Sequence, residues 1–216
     1  MYREIDISRW PRRDHLLYFS AMDYPHFNIC ADADLSVFLP FLKERKLAFY
    51  RTILYIGCRA ANSIESFRYR IDAGKVFLYD RVHPGITVMG PDDLFGYLNI
   101  DYEPDFTRFY RRAGEMIDTA SRQPNLTGGG DRNDLLYITT IPWISFTSLV
   151  HPIHIHPADS IPRISWGKYR EENGRVKLPV SVQVHHGLMD GIHIGSFFDE
   201  IQRYFDNPDY LYPGSV

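Results

Sequence analysis

Cysteine is scarce in this sequence, with only Cys30 and Cys58 among 216 residues. Two cysteines give neither the spacing of a zinc site nor a disulfide framework, so buried free thiols are expected. Long apolar runs are also missing, and no stretch has the roughly eighteen apolar residues that a membrane helix needs. The N-terminus lacks the apolar segment of a signal peptide. The sequence therefore predicts a cytoplasmic protein that does not interact with membranes.

Excess positive charge is absent as well. The formal net charge is −3, which gives no support for a nucleic-acid partner. The glycine run 128–130 is not followed by a Lys-Ser or Lys-Thr pair, so we expect a flexible loop there and no phosphate-binding loop. The composition is otherwise that of an ordinary globular protein, with 44% hydrophobic residues. The aromatic content of 15% is high and fits a large core or an aromatic-lined pocket.

The periodicity of the apolar residues predicts alternating helices and strands. After a short helix around Leu16, helical spacing predicts four longer helices, over 35–46, 48–62, 105–121 and 192–206. Alternating or continuous apolar runs predict the strands, at 26–30, 67–71, 76–79, 86–89, 135–141, 142–149, 164–166 and 175–184. This order predicts an α+β fold: a single two-layer domain over residues 1–216, with a mixed, largely antiparallel sheet and helices packed on it.

The most informative stretch joins the last strand to the last helix. His185, His186 and Asp190 lie between them, and Gly187 and Gly191 mark a turn. A histidine held between two rigid elements is well placed to act as a general base. The alternatives are a histidine that only packs at the end of a strand and an aspartate that only forms the turn.

Two further groups of polar residues allow more than one interpretation. Arg12 and Arg13 lie in the first turn of a predicted helix, where the helix dipole disfavours cations, so one of them could have a specific partner elsewhere. Two solvated arginines are the alternative. His154 and His156 would share one face of a strand, which suggests a metal site, but no clear third ligand accompanies them.

The pattern His-His-x-x-x-Asp-Gly at residues 185–191 resembles the signature of acyl-CoA-dependent acyltransferases. The whole chain resembles the chloramphenicol acetyltransferase family, in matching order and spacing. The segments that carry this resemblance are 6–15, 81–84 with 87–88, 142–148, 167–169 and 183–193.

The resemblance implies a direct transfer of acetyl from acetyl-CoA to a hydroxyl group, without an acyl-enzyme and without a metal. It implies that His186 is the general base, with its ring oriented by its own backbone. Asp190 is then expected to pair with Arg12 in a structural role. Thr139 takes the position of a serine that stabilises the oxyanion, and Ser165 that of a hydroxyl that holds an ordered water.

The resemblance also assigns the two ends of the site. Trp143, Lys168 and Tyr169 match positions along the coenzyme A channel, with core packing as the alternative for Trp143. The acceptor pocket is expected to contain six residues, several of them more polar than in the family: Phe19, Asp23, Phe27, Met89, His151 and Arg163. Charges in this pocket are costly beside an apolar acceptor unless they pair with each other.

The family assembles as a homotrimer with active sites between subunits, so the resemblance implies the same here. The leading hypothesis is thus a chloramphenicol O-acetyltransferase-like enzyme with a small-molecule hydroxyl acceptor. The alternatives are an enzyme for a more polar acceptor, a trimer that binds without catalysis, and a metal-dependent hydrolase at His151, His154 and His156.

Overall fold

The computed structural model of the chain describes residues 1–127 and 132–212. The loop predicted at 128–130 lies outside the described residues. No helix in the described ranges is long and apolar enough to cross a membrane. Both cysteines are free thiols; Cys58 is buried and Cys30 is half-buried.

Five helices follow the predicted positions closely. They are α1 (Arg13–Ser20), α2 (Phe38–Arg45), α3 (Phe49–Ser63), α4 (Phe106–Ala120) and α5 (Gly191–Asp206). Helix α4 begins where the Asp105 carboxylate accepts a hydrogen bond from the backbone N–H of Arg108 at 2.9 Å, which satisfies one free donor of the first turn. Helix α3 is buried along most of its length and packs between α4 and α5.

Within the described residues, ten strands form two sheets. They are β1 (Tyr2–Glu4), β2 (His26–Asp34), β3 (Tyr69–Asp72), β4 (Lys75–Tyr79), β5 (His83–Met89), β6 (Phe95–Asn99), β7 (Leu135–Ile141), β8 (Arg163–Gly167), β9 (Arg170–Glu172) and β10 (Arg175–His185). The small sheet has the order β1-β4-β3. The large sheet has the order β2-β10-β8-β7-β5-β6, with β9 paired to β10.

The large sheet is mixed and mostly antiparallel, as predicted. Among the strands that the structure describes, only the neighbouring pairs β5–β7 and β7–β8 are parallel. Two hairpins, β3–β4 and β9–β10, turn at residues 73–74 and 173–174, where Ala73 and Asn173 adopt positive φ angles of 46° and 51°. Each is followed by a glycine with positive φ, which gives the backbone twist that two-residue hairpin turns need.

The strand predicted at 142–149 is wrong. Strand β7 ends at Ile141, and the residues after it form turns and loop. Pro142 has no N–H to donate to a sheet ladder, which explains the end of the strand. The apolar residues that suggested a strand are not in the core, since Trp143 is 64% exposed and Ile144 is 59% exposed. Trp143 belongs to the wall of a cleft.

The apolar core is continuous from the helices across the large sheet. It includes Phe38 and Phe205, whose rings are 4.9 Å apart, and Phe67 and Phe197, which stack at 5.2 Å. This continuity is what a single domain over residues 1–216 requires; that extent stays a prediction. Buried residues of both β10 and α5 belong to this core, and α5 packs on β2 and α3, which holds the two ends of the turn between β10 and α5.

Candidate active site

The turn that joins β10 to α5, residues 186–190, is called the His-Asp turn. It is anchored at its start, where the backbone N–H of His186 donates to the carbonyl of Pro25 at 2.8 Å. The preceding His185 is buried, and its Nδ1 accepts a hydrogen bond from the N–H of Gly187 at 3.1 Å. His185 thus holds the turn in place, whereas His186 is only half-buried and is the accessible imidazole of the two.

The contacts of the His186 ring define which nitrogen can act as a base. Its Nδ1 lies 3.1 Å from the carbonyl oxygen of Met189 and 3.3 Å from Oδ1 of Asp190. A carbonyl oxygen only accepts hydrogen bonds, so Nδ1 carries the proton in this contact. In the neutral ring, Nε2 then has the free lone pair. The sequence-based expectation of a ring bonded to its own backbone is wrong in detail, because the partner is the carbonyl three residues further on.

Two aromatic rings fix the plane of the same imidazole. Phe19 stacks on His186 at a centroid distance of 3.8 Å and an interplanar angle of 12°. Phe27 lies at 4.4 Å on a tilted approach. Both residues were predicted to line the acceptor pocket. In this chain they lie beside His186.

Arg12 secures the His-Asp turn from the first helix. Its Nη1 donates to Oδ2 of Asp190 at 2.5 Å, and its Nη2 donates to the carbonyl of His186 at 3.0 Å. The hydrogen bond from Arg12 lowers the pKa of Asp190 below its usual value, so this carboxyl is ionised at neutral pH. Arg12, which the sequence places where the helix dipole disfavours a cation, therefore has Asp190 as its partner.

Replacing Arg12 by alanine is expected to lower the free energy of unfolding by about 2–3 kcal/mol, since the substitution leaves a partly buried carboxylate and a carbonyl without a donor. This is less than for a fully buried ion pair, because the Asp190 side chain is 34% exposed. Urea unfolding measures the change. Arg13→Ala is the matched control, since the only ion pair described for Arg13 is with the exposed Asp14. Equal losses in the two variants would contradict the role of Arg12.

The buried His185 makes stability depend on pH. Burial lowers the pKa of His185 from 6.5 to about 4, with a further contribution from the nearby His26. The folded state holds the neutral ring while the unfolded chain takes up a proton, so this stabilisation is complete above pH 6.5 and is lost as the pH falls toward 4. Between about pH 7.5 and pH 5, we expect the wild type to lose about 2 kcal/mol more unfolding free energy than His185→Gln. Parallel urea titrations of both proteins check this, and identical losses would exclude it.

A second feature is a large cleft of about 1280 Å³ on the sheet, lined by residues of β5, β6, β7 and β8 and by the segments after β7 and β8. The strand register shows in which order the residues of β7 and β8 follow each other along the cleft. Tyr137 of β7 pairs with Arg163 of β8, and two residues further along Thr139 pairs with Ser165. Register partners on neighbouring strands point to the same side of the sheet. Beyond the ends of the two strands come Trp143 and Lys168.

The predicted residues therefore lie along the cleft in a defined order. Arg163 is at one end, Thr139 is in the middle, and the predicted coenzyme residues are at the other end. Ser165 pairs with Thr139 in the sheet but is fully buried and does not line the cleft. Trp143 is 64% exposed and lines the cleft, which excludes core packing within one chain. Tyr169 lines the same end, with its ring 5.8 Å from that of Phe49.

His151 lines the cleft and contacts the buried Ser165 of β8. Nε2 of His151 is 2.8 Å from Oγ of Ser165, and the backbone N–H of His151 donates to Oε1 of Gln183 at 2.9 Å. Burial lowers the pKa of His151, and the charge of Arg163 lowers it further, so the ring is neutral at neutral pH. The Ser165 hydroxyl, expected to hold a water, contacts the imidazole.

Arg163 has a partner that the sequence analysis missed. Its Nη2 donates to Oδ2 of Asp159 at 2.5 Å, and its guanidinium lies 5.2 Å from the centre of the Tyr137 ring. Both residues of the pair line the cleft and are largely buried. Asp159 precedes β8 in an irregular segment, and no periodicity in the sequence connects it to the site. The four-residue spacing to Arg163 was the only available signal.

Of the remaining residues predicted at the site, one lines the cleft and the others do not form the predicted arrangement. Met89 lines the cleft. Asp23 is exposed and does not line it, so no pairing with Arg163 arises within the chain. Residues 151–156 are not a strand, so the predicted shared face of His154 and His156 is wrong. Within residues 1–127 and 132–212, no group of three metal-ligating side chains is assembled.

His186 does not line the cleft that contains Thr139. In the sheet, Thr139 is level with Ser165 of β8 and Ser181 of β10, so His186 is five residues further along and two strands across. At about 3.3 Å per residue and about 4.8 Å per strand, the two residues are roughly 19 Å apart. One chain therefore does not bring the imidazole to the middle of its own cleft.

The chain is similar to known proteins over almost its whole length. A sequence model described as chloramphenicol acetyltransferase matches residues 1–202. A chloramphenicol acetyltransferase of Klebsiella sp is 30% identical, covering 95% of this chain and 94% of the relative. One of Clostridium perfringens is 31% identical, covering 94% of each.

Solved structures are similar to this chain as well. A chloramphenicol acetyltransferase structure superimposes with a TM-score of 0.89 at 27% identity, covering 95% of this chain and all of the other. The cubic core of a pyruvate dehydrogenase multienzyme complex shares the fold alone, with a TM-score of 0.69 at 17% identity. The protein is an acyltransferase of the acetyl-CoA-dependent type, and the chain belongs to the chloramphenicol acetyltransferase family.

Proposed function

We propose that this protein transfers acetyl from acetyl-CoA directly to a hydroxyl of a small molecule, with His186 as the general base. The observation that supports this most is the hydrogen bond between Nδ1 of His186 and the Met189 carbonyl, which leaves the lone pair on Nε2. Nε2 takes the proton as the acceptor oxygen attacks the thioester carbonyl. The proton later passes to the coenzyme A thiolate as the C–S bond breaks.

Thr139 is proposed as the donor to the oxyanion. It lies midway along the cleft, between the end with Trp143 and Lys168 and the end with Arg163. A thioester carbonyl delivered from the first end meets an acceptor hydroxyl from the second end at this point. The Thr139 hydroxyl is then placed to stabilise the charge that develops on the carbonyl oxygen.

Acetyl-CoA is the proposed co-substrate, as in the family, with its pantetheine arm along Trp143 and Tyr169. Lys168 is exposed at the same end, where a cation suits the phosphates of the coenzyme. We propose no metal for this reaction, because a neutral imidazole and a hydroxyl donor supply the acid-base and electrostatic steps. A non-catalytic trimer is the alternative, and it would bind coenzyme A without thiol release.

The test is thiol release from acetyl-CoA with chloramphenicol and a panel of more polar alcohols. The wild type is compared with His186→Ala and with His156→Ala, a matched control at an exposed histidine that does not line the cleft. Turnover that only His186→Ala abolishes supports the proposal. Coenzyme A binding without turnover on any alcohol would favour the non-catalytic alternative.

We propose that the active site is completed by a neighbouring subunit of a homotrimer. The separation of roughly 19 Å between His186 and Thr139 within one chain is far beyond hydrogen-bond reach. In a ring of identical subunits, the same contact repeats at each interface, so His186 of one chain faces the cleft of the next.

This arrangement predicts that two inactive variants restore each other. His186→Ala and Thr139→Val are expected to be nearly inactive alone. Co-expressed at equal levels, they give mixed trimers in which about a quarter of the interfaces combine an intact His186 with an intact Thr139. We therefore expect about a quarter of wild-type activity. Mixing the two purified variants without subunit exchange is the control, and no recovery on co-expression would place both residues in sites within one chain.

A further inference from the structure

The peptide group between Met189 and Asp190 is held between two imidazole rings. Its carbonyl oxygen lies 3.1 Å from Nδ1 of His186, which donates to it. Its N–H donates to Nδ1 of His193, the third residue of α5, at 2.9 Å. The bond is trans, so its C=O and N–H point to opposite sides of one plane. A single rigid unit therefore connects the ring of His186 with the ring of His193.

His193 holds this plane only while its Nδ1 is unprotonated. A backbone N–H only donates, so Nδ1 of His193 is the acceptor, and the proton of the neutral ring is on Nε2. The N–H of His193 donates in return to the Asp190 carbonyl at 3.0 Å. At the start of a helix, the side-chain contact to this first N–H usually comes from glutamate or glutamine. In this chain an imidazole makes it.

The orientation of the Met189–Asp190 plane decides how the His186 ring is held. If the plane rotates, the Met189 carbonyl moves away from Nδ1 of His186, and the ring loses the contact that fixes its tautomer. An N–H that is itself bonded also polarises its peptide group, so the carbonyl on the far side accepts more strongly. Within the described chain, the hydrogen bonds of Arg12 go to the Asp190 carboxylate and to the carbonyls of His186 and Gly187, so Arg12 does not hold this peptide group.

The surroundings of His193 keep its ring neutral at pH 7. Burial lowers the pKa of His193 below its ordinary value of 6.5, and the charge of Arg12 lowers it further, against the opposing effect of Asp190. The contact is therefore complete above pH 6.5 and is lost as the pH falls through the lowered pKa of the folded state. His193 also lines a hollow of about 540 Å³, across which lie five more charged or titratable groups: Arg3, Asp6, Arg9, Glu65 and Tyr69.

We propose that His193 is a positioning residue for His186, and that its unprotonated ring holds the Met189–Asp190 plane so that Nε2 of His186 keeps the free lone pair. This rests on the proposed function, since it takes His186 as the general base. Protonation of His193 removes the acceptor, releases the plane and lets the His186 ring adopt the other tautomer. Acetyl transfer then depends on two imidazoles, one that takes the proton and one that stays neutral.

Two substitutions separate the hydrogen-bond acceptor from the imidazole. His193→Gln keeps an acceptor that reaches back to the Asp190 N–H and does not titrate. His193→Leu has no acceptor. At pH 7.5 and saturating acetyl-CoA, we expect His193→Leu to lower kcat by about tenfold to a hundredfold, with little change in KM, and His193→Gln to retain most of the wild-type kcat. His156→Leu is the matched control at an exposed histidine. Equal losses in His193→Gln and His193→Leu would overturn the proposal.

The state of the His186 ring tests the same link without turnover. In protein with isotope-labelled histidine, nitrogen NMR shifts report which ring nitrogen carries the proton, and the His186 signals are assigned from their loss in His186→Gln. We expect the Nδ1–H form in the wild type and in His193→Gln, and a mixture of both forms in His193→Leu. Unchanged His186 signals in His193→Leu would overturn the proposal whatever its kcat.

The pH dependence provides a test that does not need His193→Leu to fold. Any titration of His186 is common to the wild type and His193→Gln, whereas residue 193 titrates only in the wild type. The kcat of His193→Gln relative to that of the wild type should therefore rise as the pH falls through the range in which the His193 signals titrate. A constant ratio across that range would contradict the positioning role.

Failure of the proposed function has a different signature. If the His186 signals respond to His193→Leu as expected, yet the wild type releases no thiol with any alcohol, His193 positions His186 but His186 is not the base of an acetyl transfer. If thiol release depends on His186 and not on residue 193, the proposed function stands and the positioning role is wrong.

Discussion

Replacing His186 by alanine is expected to lower kcat/KM for acetyl transfer by roughly 10²–10⁴-fold, the usual contribution of a positioned general base. The reason is the geometry of the ring: Nδ1 is held at 3.1 Å from the Met189 carbonyl, and Phe19 stacks on one face at 3.8 Å. Only Nε2 remains to accept the proton. Steady-state thiol release with saturating acetyl-CoA measures the loss.

The loss should appear in kcat while the KM for acetyl-CoA stays near its wild-type value, because the proposed coenzyme residues lie at one end of the cleft and the His186 of the neighbouring chain is proposed to reach only its middle. His186→Gln is a useful second variant, since it keeps the volume and a hydrogen-bonding group but has no basic nitrogen. Activity of His186→Gln near the wild-type level would show that His186 only packs at the end of β10.

Replacing Thr139 by valine is expected to lower kcat by roughly 10²–10³-fold, as for the loss of one oxyanion donor. Valine keeps the β-branched shape of threonine, so the register of β7 with β8 should not change. The change removes only the hydroxyl. Single-turnover kinetics on the purified variant separate the chemical step from coenzyme binding.

Thr139→Ser is the matched control, because it keeps the hydroxyl and removes the methyl group. We expect Thr139→Ser to retain most of the activity, or to exceed the wild type if the stiffer threonine side chain restricts the approach of the hydroxyl. Equal losses in Thr139→Val and Thr139→Ser would show that the methyl contact matters and that the hydroxyl does not stabilise the oxyanion.

The local pattern of the chain determined much of the fold. Helical spacing in α4 and α5, and apolar alternation in β10, placed these elements to within a few residues. The His-His-x-x-x-Asp-Gly turn was evident because it interrupts two strongly periodic elements. The strand predicted at 142–149 failed because exposed cleft residues such as Trp143 have the same apolar character as buried strand residues.

Only the tertiary structure decided which distant groups meet. Periodicity reports which face of an element is buried, and it carries no information on partners from irregular segments. Asp159 beside Arg163, the carbonyl of Met189 on His186, and the separation of His186 from the cleft of its own chain all depend on how β10, β8 and the loops pack. The sequence by itself determined the chemistry that the groups can supply. The packing decided that Arg163 is paired with Asp159 and that His186 lies outside the cleft of its own chain.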